Sequence, residues 1–191
     1  MSSNPSQAYA ARLEIDYPDR LNRLTTFFRP IAMIPILIIT SLLSSGMALA
    51  TALMIVFRRR YPRWWFDFAR ELARLNMRVG AYGTLLTDRY PSTTEEQAAH
   101  LDIDYPDAEK DLNRWLPLVK WLLAIPHYIV LFVLWIVAFF AILIAWFAIL
   151  FTGRYPKALF DYVVGLFRWT VRVTAYVSWL VTDQYPPFSM S

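Results

Sequence analysis

The chain is a tandem duplication, and each copy encloses one long run without charge; few architectures satisfy both conditions. Ile15-Asp16-Tyr17-Pro18-Asp19 returns as Ile103-Asp104-Tyr105-Pro106-Asp107, and Leu21-Asn22-Arg23 as Leu112-Asn113-Arg114. Arg60-Tyr61-Pro62 returns as Arg154-Tyr155-Pro156, Phe66-Asp67 as Phe160-Asp161, and Ala81-Tyr82 as Ala175-Tyr176. Each copy closes on Thr-Asp-x-Tyr-Pro, at Thr87 to Pro91 and Thr182 to Pro186. A repeated unit of roughly 90 residues is one structural unit used twice.

Between these landmarks the 27 residues from Ile31 to Phe57 carry no charge, and Pro126 to Phe151 carries only the titratable His127. About 20 apolar residues suffice to cross the hydrocarbon of a bilayer. Each run is therefore expected to be a spanning helix of an integral membrane protein. The composition agrees: 57% of residues are hydrophobic and the mean hydropathy is +0.35. The N-terminal residues lack the apolar stretch of a cleavable signal, so the first run is expected to act as its own insertion signal. Absence of cysteine removes disulfides and thiolate metal sites. The net charge of +4 fits basic residues flanking membrane segments and meeting anionic lipid; nucleic acid is not an expected partner.

Six of the 12 prolines follow a tyrosine, at Tyr17, Tyr61, Tyr90, Tyr105, Tyr155 and Tyr185. The residue before proline is pushed out of the α region, so each step marks a helix boundary. Tyrosine favours the headgroup level, where the ring is buried and the hydroxyl wet. The chain divides into a polar tail (1–12), a first membrane repeat (13–91), a polar linker (92–100) and a second repeat (101–188). Ser44-Ser45-Gly46 interrupts the first apolar run, a bend or a close-packing spot that the second copy lacks.

A second helix follows each run, over roughly 64–86 and 158–181. At about 100° per residue, Arg63, Asp67, Arg70, Glu71, Arg74 and Arg78 share one arc, and Lys157, Asp161, Arg168 and Arg172 share it in copy two. A wide apolar face with one basic stripe is the pattern of a helix lying in the membrane interface. At the centre of a span each Arg, Lys or Asp costs about 2.5–3.5 kcal/mol, against about 0.3–0.6 returned per large apolar residue. Spanning is open to these helices only where a bundle or an aqueous path covers the stripe. The expected fold is all-α, without a sheet: two pseudo-symmetric repeats, each a long transmembrane helix followed by an Arg-striped amphipathic helix, with both termini on one side.

The candidate lipid- or partner-binding residues are Arg63, Asp67, Arg74, Arg78, Lys157, Asp161, Arg168 and Arg172. Arg168 and Arg172 have only Asp161 on their own helix, seven residues from Arg168 and about 10 Å along the axis. Lipid phosphate, Asp67 or Glu71 of the other copy, or a partner protein is expected to meet them. His127 has no second ligand nearby and reads as a helix-start histidine at the interface, while Asp67 and Asp161 read as ion-pair members. No Ser-His-Asp order, nucleotide-binding glycine loop or HExxH is present, so no catalytic residue, cofactor or metal is expected.

The stretch Gly153-Arg154-Tyr155-Pro156-Lys157, continuing through Gly165, Arg168 and Arg172 to Ala175-Tyr176 and on to Thr182-Asp183-Gln184-Tyr185-Pro186-Pro187-Phe188, resembles the bacterial membrane family called domain of unknown function 4389. Copy one departs from it in having Arg59 for the turn glycine and Glu71 for the helix glycine. The resemblance implies an integral protein of the bacterial inner (cytoplasmic) membrane and supplies no reaction. The expected function is that of an accessory or organising subunit. Its basic helices would hold anionic headgroups, a membrane protein partner or a second copy of the chain. The alternative is a small oligomeric channel or transporter with an Arg-lined anion path.

Overall fold

The computed structural model describes residues 9–93, 95 and 97–191. Residues 1–8 of the expected tail, and with them the N-terminal side of the topology expectation, lie outside the described residues, as do Thr94 and Glu96. Copy one contributes strand β1 (Ala11–Ile15), helices α1 (Arg23–Ala32), α2 (Ile34–Ser44) and α3 (Met47–Leu53), a π turn over Met54–Arg58, and α4 (Arg63–Gly83). Copy two contributes β2 (Ala99–Ile103), a 3-10 turn at Leu116–Leu118, α5 (Lys120–Leu123), α6 (Ile125–Thr152) and α7 (Lys157–Val177).

The chain is mostly helical, but the expectation of no sheet is wrong. β1 and β2 pair antiparallel with Leu13 opposite Leu101, Ala11 opposite Ile103 and Ile15 opposite Ala99. Leu13 and Leu101 occupy the same place in their copies, so the pairing maps onto itself when the copies are exchanged. The sequence signal is a short alternation, Ala11-Arg12-Leu13-Glu14-Ile15 and Ala99-His100-Leu101-Asp102-Ile103. Successive strand side chains point to opposite faces, so Ala11, Leu13, Ala99, Leu101 and Ile103 are buried while Glu14, His100 and Asp102 are exposed. Arg12 ties the two strands from the outer face, 2.7 Å from both Asp102 and Asp104, and this contact holds the Asp102 carboxyl below its usual range.

Each copy's lead-in reaches across to the other copy. The Tyr17 hydroxyl donates to the Tyr155 carbonyl at 2.5 Å, and the Tyr105 hydroxyl to the Tyr61 carbonyl at 2.6 Å. Tyr17 meets Phe160 edge-on at 4.9 Å, as Tyr105 meets Phe66 at 4.9 Å. The Leu-Asn-Arg motif is a helix start: Asn22 caps α1 by accepting from the Leu24 and Thr25 N–H groups, and Asn113 accepts from the Trp115 N–H.

The first apolar run is broken where the serines and glycine stand. α2 ends at Ser44, Gly46 takes φ 79°, and α3 resumes at Met47. The Ser44 hydroxyl accepts from Asn76 of α4 at 2.9 Å, so the break is also a packing spot. α6 runs unbroken over 28 residues and buries one stripe, His127, Leu131, Ala138, Ala141, Ala145 and Ile149, whose small residues allow a close neighbour. Ile34–Arg58 and Ile125–Thr152 are long and apolar enough to cross a membrane.

Both runs end in a left-handed residue, Arg59 at φ 49° and Gly153 at φ 71°. A side chain with Cβ costs about 1–2 kcal/mol in that region. Gly153→Ala is therefore expected to destabilise the protein by about that amount, read as a lower melting temperature in mild detergent. Arg59→Gly should not destabilise it; an equal loss from both changes would overturn this account of the turns.

Candidate functional site

The two helices singled out by their basic stripes lie beneath the two strands, each under the strand of the other copy. Arg74 Nε donates to the Leu101 carbonyl at 2.9 Å, and Arg168 Nε donates to the Leu13 carbonyl at 3.2 Å. These are equivalent bonds at the centre of the sheet. Asp16 N–H bonds the Ala98 carbonyl and Asp104 N–H the Ala10 carbonyl. Hydrogen-bonded and open pairs alternate in an antiparallel ladder, so the Leu13 and Leu101 carbonyls face outward at the two sheet edges. An arginine satisfies each, and a capped edge is no template for another chain.

The next arginine of each stripe is spent in the same way. Arg78 Nη1 donates to the Ser92 carbonyl, while Arg172 donates to the Ser189 and Ser191 carbonyls, and burial lowers the Arg172 pKa from its ordinary value. The expected partners of Arg168 and Arg172 were lipid phosphate, Asp67, Glu71 or another protein. The structure supplies main-chain carbonyls instead, from β1 and the C-terminal segment. The carboxylates stay local: Asp67 lies between Arg63 (3.6 Å) and Arg70 (3.4 Å), Glu71 bonds Arg74 (2.8 Å), and Asp161 pairs with Lys157. Of the candidate residues, Arg63, Lys157 and Asp161 remain on the surface.

Sequence reasoning missed a second matched pair of charges. Arg29 of α1 is 1% exposed and donates to the Tyr82 and Thr87 carbonyls and to Asp88, with its guanidinium 4.6 Å from the centre of the Tyr82 ring. Lys120 is 0% exposed and contacts the Thr182 carbonyl and Asp183, both at 2.7 Å, with its ammonium 4.8 Å from the Tyr176 ring. Burial lowers the pKa of both cations, and the aspartates oppose that shift. Asp88 and Asp183 also accept the N–H groups of the capping Asn22 and Asn113. The Thr-Asp-x-Tyr-Pro terminator is thus the latch that closes each repeat onto its own beginning. The signal was present: Arg29 and Lys120 each stand six residues beyond the arginine of Leu-Asn-Arg.

His127 stands in the first turn of α6 and is buried among aromatic side chains. Its Nδ1 accepts from Trp169 Nε1–H at 3.1 Å, and its ring stacks on Phe188 at 3.9 Å. Among the described residues no three His, Asp or Glu side chains come together as a metal site. Polar concavities lie on this surface, among them two beside the basic residues. One of about 410 Å³ on the sheet side is lined by Arg12, Glu14, Arg74, Arg78, His100 and Asp102; one of about 520 Å³ is lined by Arg58–Arg60 and the loop from Tyr105 to Glu109.

A chain with two matched helical units, each latched by a buried cation–aspartate pair, is a tandem-repeat protein. It belongs to the family described as domain of unknown function (DUF4389), which matches residues 23–94 and 115–190. Both matched regions begin after the strand of their copy. No curated protein matches the chain. No solved structure matches it either.

Proposed function

We propose that the protein is a non-catalytic, membrane-embedded organising subunit that holds anionic lipid headgroups. The observation carrying this reading is the segregation of its surface. α1, α2, α3 and α6 expose Phe27, Ile38, Leu49, Phe132, Phe140 and Phe147 among many other large apolar side chains, whereas the outer side of the sheet is charged. An apolar face of this extent on a soluble monomer would be an aggregation liability; hydrocarbon relieves it. The basic turns stand at its margin. Phe57, 72% exposed, precedes exposed Arg58, Arg59 and Arg60; Phe151, 77% exposed, precedes Arg154 and Lys157. With the inner arginines committed to carbonyls, the exposed arginines of these turns, placed beside the apolar face, are the groups best set to meet phosphate.

An arginine near an anionic surface is worth about 1 kcal/mol. Changing Arg58, Arg59 and Arg60 together to Gln should therefore weaken retention of anionic lipid by roughly 100-fold. Native mass spectrometry with anionic and zwitterionic lipid reads this directly, and equal retention by the variant would refute the assignment. The alternative, an Arg-lined anion path, has less support because Arg74 and Arg168 lie under strands and are already bonded. The bacterial inner membrane is the compartment this reading implies.

A further inference from the structure

We infer that the protein seats in one leaflet of the bilayer without crossing it, with α2, α3 and α6 lying along the membrane plane and the sheet facing water. This rests on the reading that the apolar face meets lipid, and adds how it does so.

The layers are stacked in a definite order. On α7, Leu166, Trp169 and Val173 pack with Leu131 and Ala138 of α6, while Arg168 bonds β1. At about 100° per residue, Leu166 and Val173 lie roughly 140–160° around the helix from Arg168. α7 is therefore sandwiched, with α6 on one side and β1 on the other. In copy one, α4 contacts α2 and α3 through Asn76–Ser44 and Trp65–Thr51, both 2.9 Å, and contacts β2 through Arg74. The apolar layer, the striped layer and the sheet thus succeed one another.

The elements also alternate in direction. α7 runs antiparallel to β1, since Phe160 meets Tyr17, Arg168 meets Leu13 and the Arg172 carbonyl meets Tyr9. It runs antiparallel to α6, since Tyr162 bonds the Leu134 carbonyl and Trp169 bonds His127. α4 is antiparallel to β2 (Phe66 to Tyr105, Arg74 to Leu101) and, from the pairs above, to α2 and α3. β1 and β2 are antiparallel to each other. If α6 crossed the bilayer, every one of these elements would lie at membrane depth beside it. β2, with exposed His100 and Asp102, would itself have to carry the chain back across. A strand pair bearing Arg12, Glu14, His100 and Asp102 on its outer face cannot face hydrocarbon.

Turning the layers parallel to the membrane removes the conflict. A helix is about 10–12 Å across with its side chains, and one leaflet of hydrocarbon is about half of the bilayer's 30 Å. The apolar layer fits that depth, and the charged outer face of the sheet stays in water. Because the sheet maps onto itself when the copies are exchanged, both copies present the same side to the lipid.

The absence of cysteine makes the test direct. Exposed Glu109 lies in the loop beside the Arg58–Arg60 turn, ahead of α6, and exposed Arg154 follows α6 at its other end. Glu109→Cys and Arg154→Cys, made singly in the full-length protein, are treated with a membrane-impermeant maleimide in sealed right-side-out and inverted membrane vesicles. Both sites should label from the same side. Labelling from opposite sides would show that α6 crosses and would overturn the inference; Lys110→Cys and Lys157→Cys repeat the comparison at neighbouring positions. A carbonate wash beforehand separates the two readings: release of the protein defeats the membrane assignment itself, whereas retention with opposite-side labelling defeats only the one-leaflet seat.

Discussion

Replacing Arg29 by methionine is expected to lower stability by about 3–5 kcal/mol, the range for removing one partner of a buried ion pair. The loss is large because three acceptors depend on this side chain: the Tyr82 and Thr87 carbonyls and the Asp88 carboxylate. Methionine fills much of the volume but strips the Thr87 carbonyl of its donor and Asp88 of its cation, leaving Asp88 only the Asn22 N–H and the Thr25 hydroxyl. Arg29→Lys should cost far less than Arg29→Met, since the second copy makes the equivalent latch with Lys120 against Asp183. Thermal unfolding in mild detergent separates the two. A methionine variant as stable as the lysine variant would mean that packing, not the latch, holds α1 to the end of the repeat.

Arg168→Gln combined with Arg172→Gln is expected to destabilise the protein and leave lipid retention unchanged. Losing a donor to a carbonyl screened from water costs about 1–3 kcal/mol, and these two arginines serve the Leu13 and Ser189 carbonyls, Arg172 also bonding exposed Ser191. The expected loss is roughly 2–6 kcal/mol, with β1 and the C-terminal segment released first. Hydrogen exchange should show early loss of protection at residues 11–15 and 99–103, because among the described residues each strand pairs with the other alone. Weaker anionic-lipid retention at unchanged stability would return these arginines to the headgroup role that their stripe suggests from sequence.

Much of the helical architecture was legible in the residues. The repeat, the two apolar runs, the helix starts after Tyr61-Pro62 and Tyr155-Pro156 and the bend at Gly46 are local signals on which backbone preference and burial act directly, whereas the other four Tyr-Pro steps lie in connecting segments and not at helix ends. The stripe was legible as a polar face, but its partner was not. Periodicity reports which residues of a helix lie together and is silent on what covers them. Headgroups, a pore or a strand would all suit Arg168 equally well on that information.

The strands escaped because each is only five residues long and sits in a polar stretch, where an alternation of Ala, Leu and Ile is faint beside 27 charge-free residues. Their pairing joins positions 84 to 92 residues apart, from Ile15 with Ala99 at one end to Ala11 with Ile103 at the other. Arg29 escaped for a similar reason, since its carboxylate partner is 59 residues away. Two copies of a helical, strongly apolar unit with a polar side follow from the residues alone. It took the folded chain to lay each copy's strand against the striped helix of the other and to set an arginine on that strand's central carbonyl. Apolar burial is encoded residue by residue, whereas the partner of a carbonyl or a buried charge is chosen by whatever distant segment the folded chain brings within 3 Å.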